Sequence, residues 1–212
     1  MADMFPFERS RLLAAMTEIV ALRGYRAASV AQVSAHAGVS VEAFHECFED
    51  NEQCVLAAFD DVVLRASVRV FDACCDEPTW GERVAAGVLA LLEFLDDQPL
   101  CARFAVVEAL GATRAVARAR SEILARLAAL VDSGRRHAHP LFDLSPLTAD
   151  AAVWNVLGVI HESLLSASPL ALVELAGPLT SLLVFPYLGE EAACRELASA
   201  TLTCRLSVPR DT

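Results

Sequence analysis

The sequence contains no lysine, and its 17 basic side chains are all arginine. Acidic residues number 28, which gives a formal net charge of −11 at pH 7. Proteins that bind nucleic acid through phosphate contacts usually carry a basic excess. The charge balance therefore argues against nucleic-acid binding, and it is the one property of the whole chain that does so.

The sequence also shows no C-x-x-C pair, no long apolar run and no signal-peptide pattern in its first residues. The seven cysteines are odd in number and form no C-x-x-C pair, so neither a disulfide framework nor a zinc knuckle is predicted. The longest apolar stretches, 84–92 and 151–160, fall short of the about 20 residues that a membrane-spanning helix needs. The first ten residues lack the basic and apolar regions of a signal peptide. We expect a cytoplasmic protein with no membrane partner.

Motifs that carry catalysis or bind a cofactor are absent as well. The chain has no G-x-S-x-G elbow, no P-loop and no H-E-x-x-H. His137 and His139, with Asp143 nearby, are only a weak signal for a metal site. Cys47 and the pair Cys74-Cys75 raise the possibility of a redox switch, but a free cysteine more commonly fills apolar space. We therefore expect no enzyme, no cofactor and no bound metal.

Apolar residues recur with helical spacing along the whole chain, and no alternating strand pattern occurs. The pattern predicts an all-α protein. The long predicted helices span about 7–23, 50–75, 79–98, 100–110, 113–137, 148–167, 170–188 and 190–206, with Thr148 capping the helix that starts there.

Two short helices are predicted between the first two long ones. Ser29 is a natural N-cap for the first, and Gly38-Val39-Ser40 makes a tight turn into the second, which ends near Phe48. Such a pair is a helix-turn-helix, whose second helix lies in the major groove of DNA while the first crosses the backbone.

The residues around this motif resemble the tetracycline-repressor (TetR) family. The resemblance rests on Arg11–Tyr25 (RLLAAMTEIVALRGY), Ser29-Val30, Ala37–Ser40 and Phe48, and it runs through Glu52 with the family's spacing and no gap. It implies an N-terminal three-helix helix-turn-helix domain over 1–52, with the motif at 29–48, and a C-terminal helical ligand-binding and dimerisation domain over 53–212. The segments 107–111 and 186–189 resemble parts of the family's more variable bodies.

Several positions depart from the family's pattern. Val41 stands where the family usually has lysine, and Asn51 replaces a lysine that commonly contacts phosphate. Glu42 replaces a frequent glycine, His45 the usual tyrosine and Cys47 a common histidine. Residues 1–52 hold four arginines and eight acids, a balance of −4. Much of the phosphate neutralisation that supplies non-specific DNA affinity is therefore missing.

Two interpretations follow. In the first, the protein is a repressor: a dimer binds a palindromic operator through the donors that remain, and a small effector releases it. The predicted DNA-contacting residues are Ser29, Ser40, Val41, Glu42, Ala43, His45 and Asn51, with help from Arg9 or Arg11. In the second, the TetR fold persists as a ligand-binding or interaction protein whose operator binding is weak or lost.

The resemblance also implies a homodimer formed by the helices at 148–167 and 170–188, which would make a four-helix bundle with their mates. Small residues that would permit close approach are Ala151, Ala152, Gly158, Gly177 and Ser181. An ordinary intramolecular core explains the same pattern.

Polar residues on otherwise apolar helices, with two aromatic walls, are candidates for an effector pocket. They are Arg103, Phe104, Glu108, Trp154, Asn155, His161 and Glu162. Structural pairing or capping is the alternative for Glu108 and Glu162, and a satisfied core histidine is the alternative for His161. The mostly apolar lining favours a hydrophobic effector.

Overall fold

A computed structural model describes residues 4–138, 144–166 and 171–207. These residues form nine α-helices and no strand, which confirms the all-α prediction. The helices are α1 Met4–Arg23, α2 Val30–Ala37, α3 Val41–Cys47, α4 Asn51–Cys74, α5 Trp80–Asp97, α6 Pro99–Ala102, α7 Arg114–Asp132, α8 Thr148–Leu165 and α9 Ala176–Ser207.

The described chain divides into two compact units. Unit 1 comprises the described residues of Met1–Arg65 and Gln98–Glu122, and unit 2 comprises those of Ala66–Asp97 and Ile123–Thr212. The division into functional domains at residue 52 stays a prediction.

Unit 1 is built around α1, against which α2, α3 and α6 pack. The buried face of α1 has the predicted helical spacing, and it includes Leu12, Met16 and Val20, each fully buried. The helix ends at Gly24, whose φ of 78° is available to glycine at little cost. This unit therefore carries both predicted short helices on one apolar support.

The core of unit 2 joins α5, α7, α8 and α9 around Trp80 and Tyr187. The two rings lie 5.2 Å apart at 63°, an edge-to-face arrangement. The Tyr187 hydroxyl donates to Asp132 at 3.2 Å, and Arg135 donates to the same carboxylate at 2.9 Å. Burial, helped by the Asp132 carboxylate, raises the pKa of Tyr187 to about 12, while Arg135 lowers the pKa of Asp132. The fold thus holds the phenol in its neutral, donating form.

Two helix boundaries in unit 2 differ from the prediction. Thr148 is the first residue of α8 and does not cap it. A turn from Ser145 precedes the helix, in which the Ser145 hydroxyl accepts from Leu147 and its carbonyl accepts from Thr148. The helix predicted over 113–137 changes at residue 133 into a 3₁₀ turn, Ser133–His137, which lays Gly134 against the ring of Trp80.

The helices predicted over 100–110 and 170–188 each contain turns that are not α-helical. A π-helical turn, Arg103–Val107, and a 3₁₀ turn, Glu108–Gly111, follow α6. A 3₁₀ turn, Leu172–Leu175, precedes α9, and Asp96 accepts from its first two N–H groups, those of Leu172 and Val173, at 2.9 Å each. Gly189 interrupts α9 with φ 78°, close to the predicted junction of two helices.

One helical stretch, Leu172–Glu191, has a mean hydropathy of 1.4 and is long and apolar enough to cross a membrane by length and composition. The sequence prediction missed it because polar residues and Pro178 interrupt the apolar run. Leu183, Val184 and Tyr187 of this stretch are buried in the core of unit 2. The core helix of a soluble protein can have the same length and composition.

We predict that Gly134→Ala lowers the free energy of unfolding by about 1–3 kcal/mol, because overpacking a tight core forces side chains to shift. A Cβ at this position would lie 2.3 Å from Cζ2 of Trp80. Gly111→Ala is the matched control, since no atom lies within 4 Å of its added carbon. Urea unfolding of both variants measures the difference, and equal stabilities would contradict the packing described here.

Candidate nucleic-acid interface

Both short helices begin at a capping serine. Ser29 accepts from the N–H of Gln32 at 3.4 Å, and the Gln32 side chain accepts in return from the N–H of Ser29 at 3.2 Å. This reciprocal capping box fixes the start of α2. Ser40 caps α3 in the same way by accepting from the N–H of Ala43 at 3.1 Å. Both hydroxyls remain exposed at helix N-termini, as DNA contacts require.

The turn between α2 and α3 depends on Gly38. Its backbone is left-handed, with φ 65° and ψ 38°. A Cβ here would also lie 2.5 Å from Nη2 of Arg11. Glycine therefore satisfies both the turn and the close approach of an α1 arginine, and only the first of these is readable from the sequence.

Two aromatic residues fix α3 in unit 1. Phe44 is fully buried and Phe48 nearly so, and their ring centroids lie 5.7 Å apart. The guanidinium of Arg9 lies over the Phe48 ring at 5.3 Å. With Phe44 directed inward, Val41, Glu42 and His45 are exposed and Ala43 is partly buried. Four of the seven predicted DNA-contacting residues thus lie along one short helix with an outward face.

The N-terminus of α3 already holds a negative charge. The Glu42 carboxylate accepts hydrogen bonds from its own N–H and from the Ser40 hydroxyl, and these bonds lower the pKa of Glu42. Helix N-termini attract anions, and DNA phosphates commonly bind there. Glu42 therefore occupies an environment that would otherwise suit a phosphate.

Asn51, the seventh candidate, is part-buried at the first turn of α4. Its side-chain amide donates to the carbonyl of Ala28 in the turn before α2. Burial raises the pKa of the nearby Tyr25 hydroxyl, and a hydrogen bond with Asn51 opposes that rise. The residue thus joins α4 to the loop that precedes α2. Contact with DNA phosphate stays a prediction for it.

A family match accounts for this arrangement. Residues 12–58 match the family described as bacterial regulatory proteins, tetR family. The match covers α2, α3 and parts of the helices that flank them, so this segment is similar to the N-terminal domain of that family. The predicted helix-turn-helix is thereby confirmed.

Solved structures of TetR-like regulators share the fold over most of the chain. The fatty acid degradation regulator FadR from Bacillus halodurans is 17% identical, with a TM-score of 0.73 over 82% of this chain and 97% of its own. A TetR family transcription regulator from Marinobacter aquaeolei VT8 is 20% identical, with a TM-score of 0.70 over 88% and 98%. FadR from Bacillus subtilis, in complex with stearoyl-CoA, is 19% identical, with a TM-score of 0.68 over 82% and 97%. Among curated proteins, none matches this sequence significantly. At these identities the likeness shows the fold.

The predicted effector contacts fall into both units. In unit 1, Arg103 and Glu108 form an ion pair at 3.4 Å, and Phe104 is fully buried beside Phe59, with ring centroids 6.5 Å apart. In unit 2, Trp154 is 51% exposed on α8. The remaining three are His161, 3.8 Å from Glu162, and the exposed Asn155. Effector binding by these residues stays a prediction.

The surroundings of the cysteines and histidines considered above do not favour redox or metal chemistry among the described residues. Burial raises the pKa of the Cys54 thiol to about 12 and also raises the pKa of Cys47 and Cys74, so that none is disposed to ionise. His139 and Asp143 lie outside the described residues. Within the described ranges, no group of three or more metal-ligating side chains occurs.

We predict that Asn51→Asp, which keeps the shape but loses the amide donor, lowers the free energy of unfolding by about 1–2 kcal/mol. The physical reason is the loss of the bond to Ala28, which leaves two acceptors facing each other. Chemical unfolding is the measurement. Glu52→Gln, a charge change at the adjacent exposed position, is the control and should change stability little. Equal effects of the two substitutions would contradict the positioning role of Asn51.

Proposed function

We propose that this protein is a ligand-responsive transcriptional regulator of the TetR family that binds a palindromic operator as a homodimer and is released by a hydrophobic effector. The observation that carries the proposal is the outward face of α3, on a helix capped by Ser40 and held by buried Phe44 and Phe48. A helix presented in this way is suited to the major groove. We assign DNA binding to residues 1–52, effector binding and dimerisation to 53–212, repression as the mode of action and the cytoplasm as its location.

A dimer is supported by an exposed apolar face on α8 and α9. Trp154 and Leu165 on α8 and Leu182 and Phe185 on α9 are all more than two-fifths exposed. Trp154 and Leu165 are 11 residues apart and Leu182 and Phe185 are 3 apart, spacings that place each pair on one face of its helix. The two helices pack against each other. A second copy of the chain would cover this face by two-fold symmetry. Such a dimer can set its two α3 helices about 34–36 Å apart, the spacing of successive major grooves.

The effector proposal rests on less specific support. The candidate pocket residues lie on largely apolar helices, and the related FadR of Bacillus subtilis was solved in complex with stearoyl-CoA. A hydrophobic molecule that binds better to one dimer geometry than to another would shift operator binding.

The alternative function is a TetR-fold ligand-binding or interaction protein with little operator affinity. It is favoured by the carboxylate of Glu42 at the N-terminus of α3 and by the inward contact of Asn51. The two functions differ in whether any DNA sequence is preferred.

We predict that operator binding, measured by gel shift on the DNA upstream of its own gene, depends only weakly on salt. Few cations face the phosphates, so the slope of log K against log salt should be much shallower than the about −10 of strongly basic repressors. Val41→Lys should steepen the slope by about 2 per dimer, at roughly −0.9 for each phosphate neutralised. Glu42→Gln should tighten binding.

Leu110→Lys is the matched control, because it adds the same charge at an exposed apolar position outside the helix-turn-helix. It should leave the slope unchanged. A wild-type slope near −10 would refute the charge argument, and the absence of any sequence preference would favour the alternative function.

We predict a sedimentation mass of about 45 kDa at micromolar concentration, twice the 22.7 kDa of the chain. Phe185→Glu should weaken the dimer by about a thousandfold, because a well-packed aromatic contact is lost twice in a two-fold interface. Leu130→Glu is the control, since Leu130 is 67% exposed on α7, outside the proposed face. A monomeric wild type, or equal weakening by both substitutions, would contradict the proposed dimer.

A further inference from the structure

The segment 99–111 of unit 1 combines three kinds of helical turn within 13 residues. A short α-helix, α6, leads into the π-helical turn Arg103–Val107, and a tight 3₁₀ turn, Glu108–Gly111, follows. The segment packs against α1 of the DNA-binding domain. Such π turns are rare and occur mostly within helices at functional positions.

Arg103, the first residue of the π turn, forms a hydrogen bond with the C-terminal end of α1. Its Nε donates to the carbonyl of Ala21 at 2.8 Å, across 82 positions in the chain. Ala21 is among the last four residues of α1, whose carbonyls have no donor within the helix once the chain turns at Gly24. The guanidinium supplies that donor and places a positive charge at the negative end of the helix dipole.

Glu108 completes the contact from the other side. One carboxylate oxygen accepts from Nη2 of Arg103 at 3.4 Å. The other oxygen lies 3.6 Å from the point where a Cβ of Gly24 would be. The Arg103–Glu108 pair therefore encloses the two consecutive features that end α1, the open carbonyl of Ala21 and the left-handed turn at Gly24.

The π turn is what allows these two side chains to meet. In an α-helix, residues five apart point about 140° away from each other. A turn closed by a bond between residues five apart brings them nearly one above the other, and the N–H of Glu108 does bond the carbonyl of Arg103. The neighbouring Phe104 is fully buried beside Phe59, which fixes the start of the segment. A return of residues 103–107 to α-helical register would rotate Glu108 away and undo the pair.

We propose that Arg103 is a positioning residue for operator binding: with Glu108, across the π turn, it clamps the C-terminal end of α1 and so sets the base on which α2 and α3 rest. The proposal rests on the proposed function of the helix-turn-helix.

Hydrogen exchange of the full-length protein tests the clamp without DNA. Arg103→Met and Glu108→Gln should speed exchange at Gly24, whose N–H bonds Val20, by about tenfold, the lower end for a hydrogen bond to a charged group. Arg103→Lys keeps the charge but loses the planar fork, so its effect should be intermediate. Arg118→Met is the control, since Arg118 pairs with Glu122 within α7 and its side chain is 84% exposed.

Exchange at Gly24 that stays at the wild-type rate in Arg103→Met, or that rises equally in Arg118→Met, overturns the clamp. Should Arg103→Met fail to fold by circular dichroism, Arg103→Lys and Glu108→Gln decide the question.

A gel shift with the DNA upstream of its own gene then tests the positioning role. Arg103→Met should bind that DNA about tenfold more weakly, with an unchanged sedimentation mass and melting temperature within a few degrees of the wild type. Undiminished binding by this variant overturns the positioning role. A wild type that binds no operator overturns the proposed function, whereas the exchange result still decides whether the clamp exists.

Discussion

The helix-turn-helix of unit 1 depends on the burial of two phenylalanines, Phe44 within the seven-residue helix α3 and Phe48 at its C-cap. An isolated helix of that length does not hold together in water, because the cost of its first turn is not recovered. The burial of Phe44 and Phe48 beside α1 supplies the missing stabilisation and at the same time determines which residues face outward. The same contact therefore stabilises α3 and determines which of its side chains are exposed.

Local features of the chain predicted most of this unit. Ser29, Gly38 and Ser40 act within three or four residues of themselves, so that their roles in capping and turning can be read from their neighbours. The roles of Asn51, Arg11 and Arg103 could not be read in this way. Each side chain meets a partner more than 20 positions distant, so the local sequence shows a polar residue but does not indicate which part of the chain it contacts. The 3₁₀ turn at Gly134 could not be predicted for the same reason, because Trp80, against which it packs, lies 54 positions away.

The charge of the helix-turn-helix bears on which of the two proposed functions the protein has. Val41 on α3 and Asn51 on α4 stand where lysine is usual in the family, and the Glu42 carboxylate lies at the N-terminus of α3. Affinity would then have to come from direct contacts and from shape, which are less sensitive to salt than phosphate neutralisation. A regulator built this way would spend less time on non-operator DNA, because non-specific binding relies most on the cations that it lacks.

The two tryptophans give the molecule a pair of built-in optical reporters. Trp80 is 5% exposed inside the core of unit 2, whereas half of the Trp154 surface is open on α8. Indole fluorescence depends on the polarity around the ring, so that the two emit from different environments within one chain. Loss of the core changes the signal of Trp80, whereas cover placed over α8 changes that of Trp154. Unfolding and association can therefore be followed separately, with no label attached, once either tryptophan is replaced by phenylalanine.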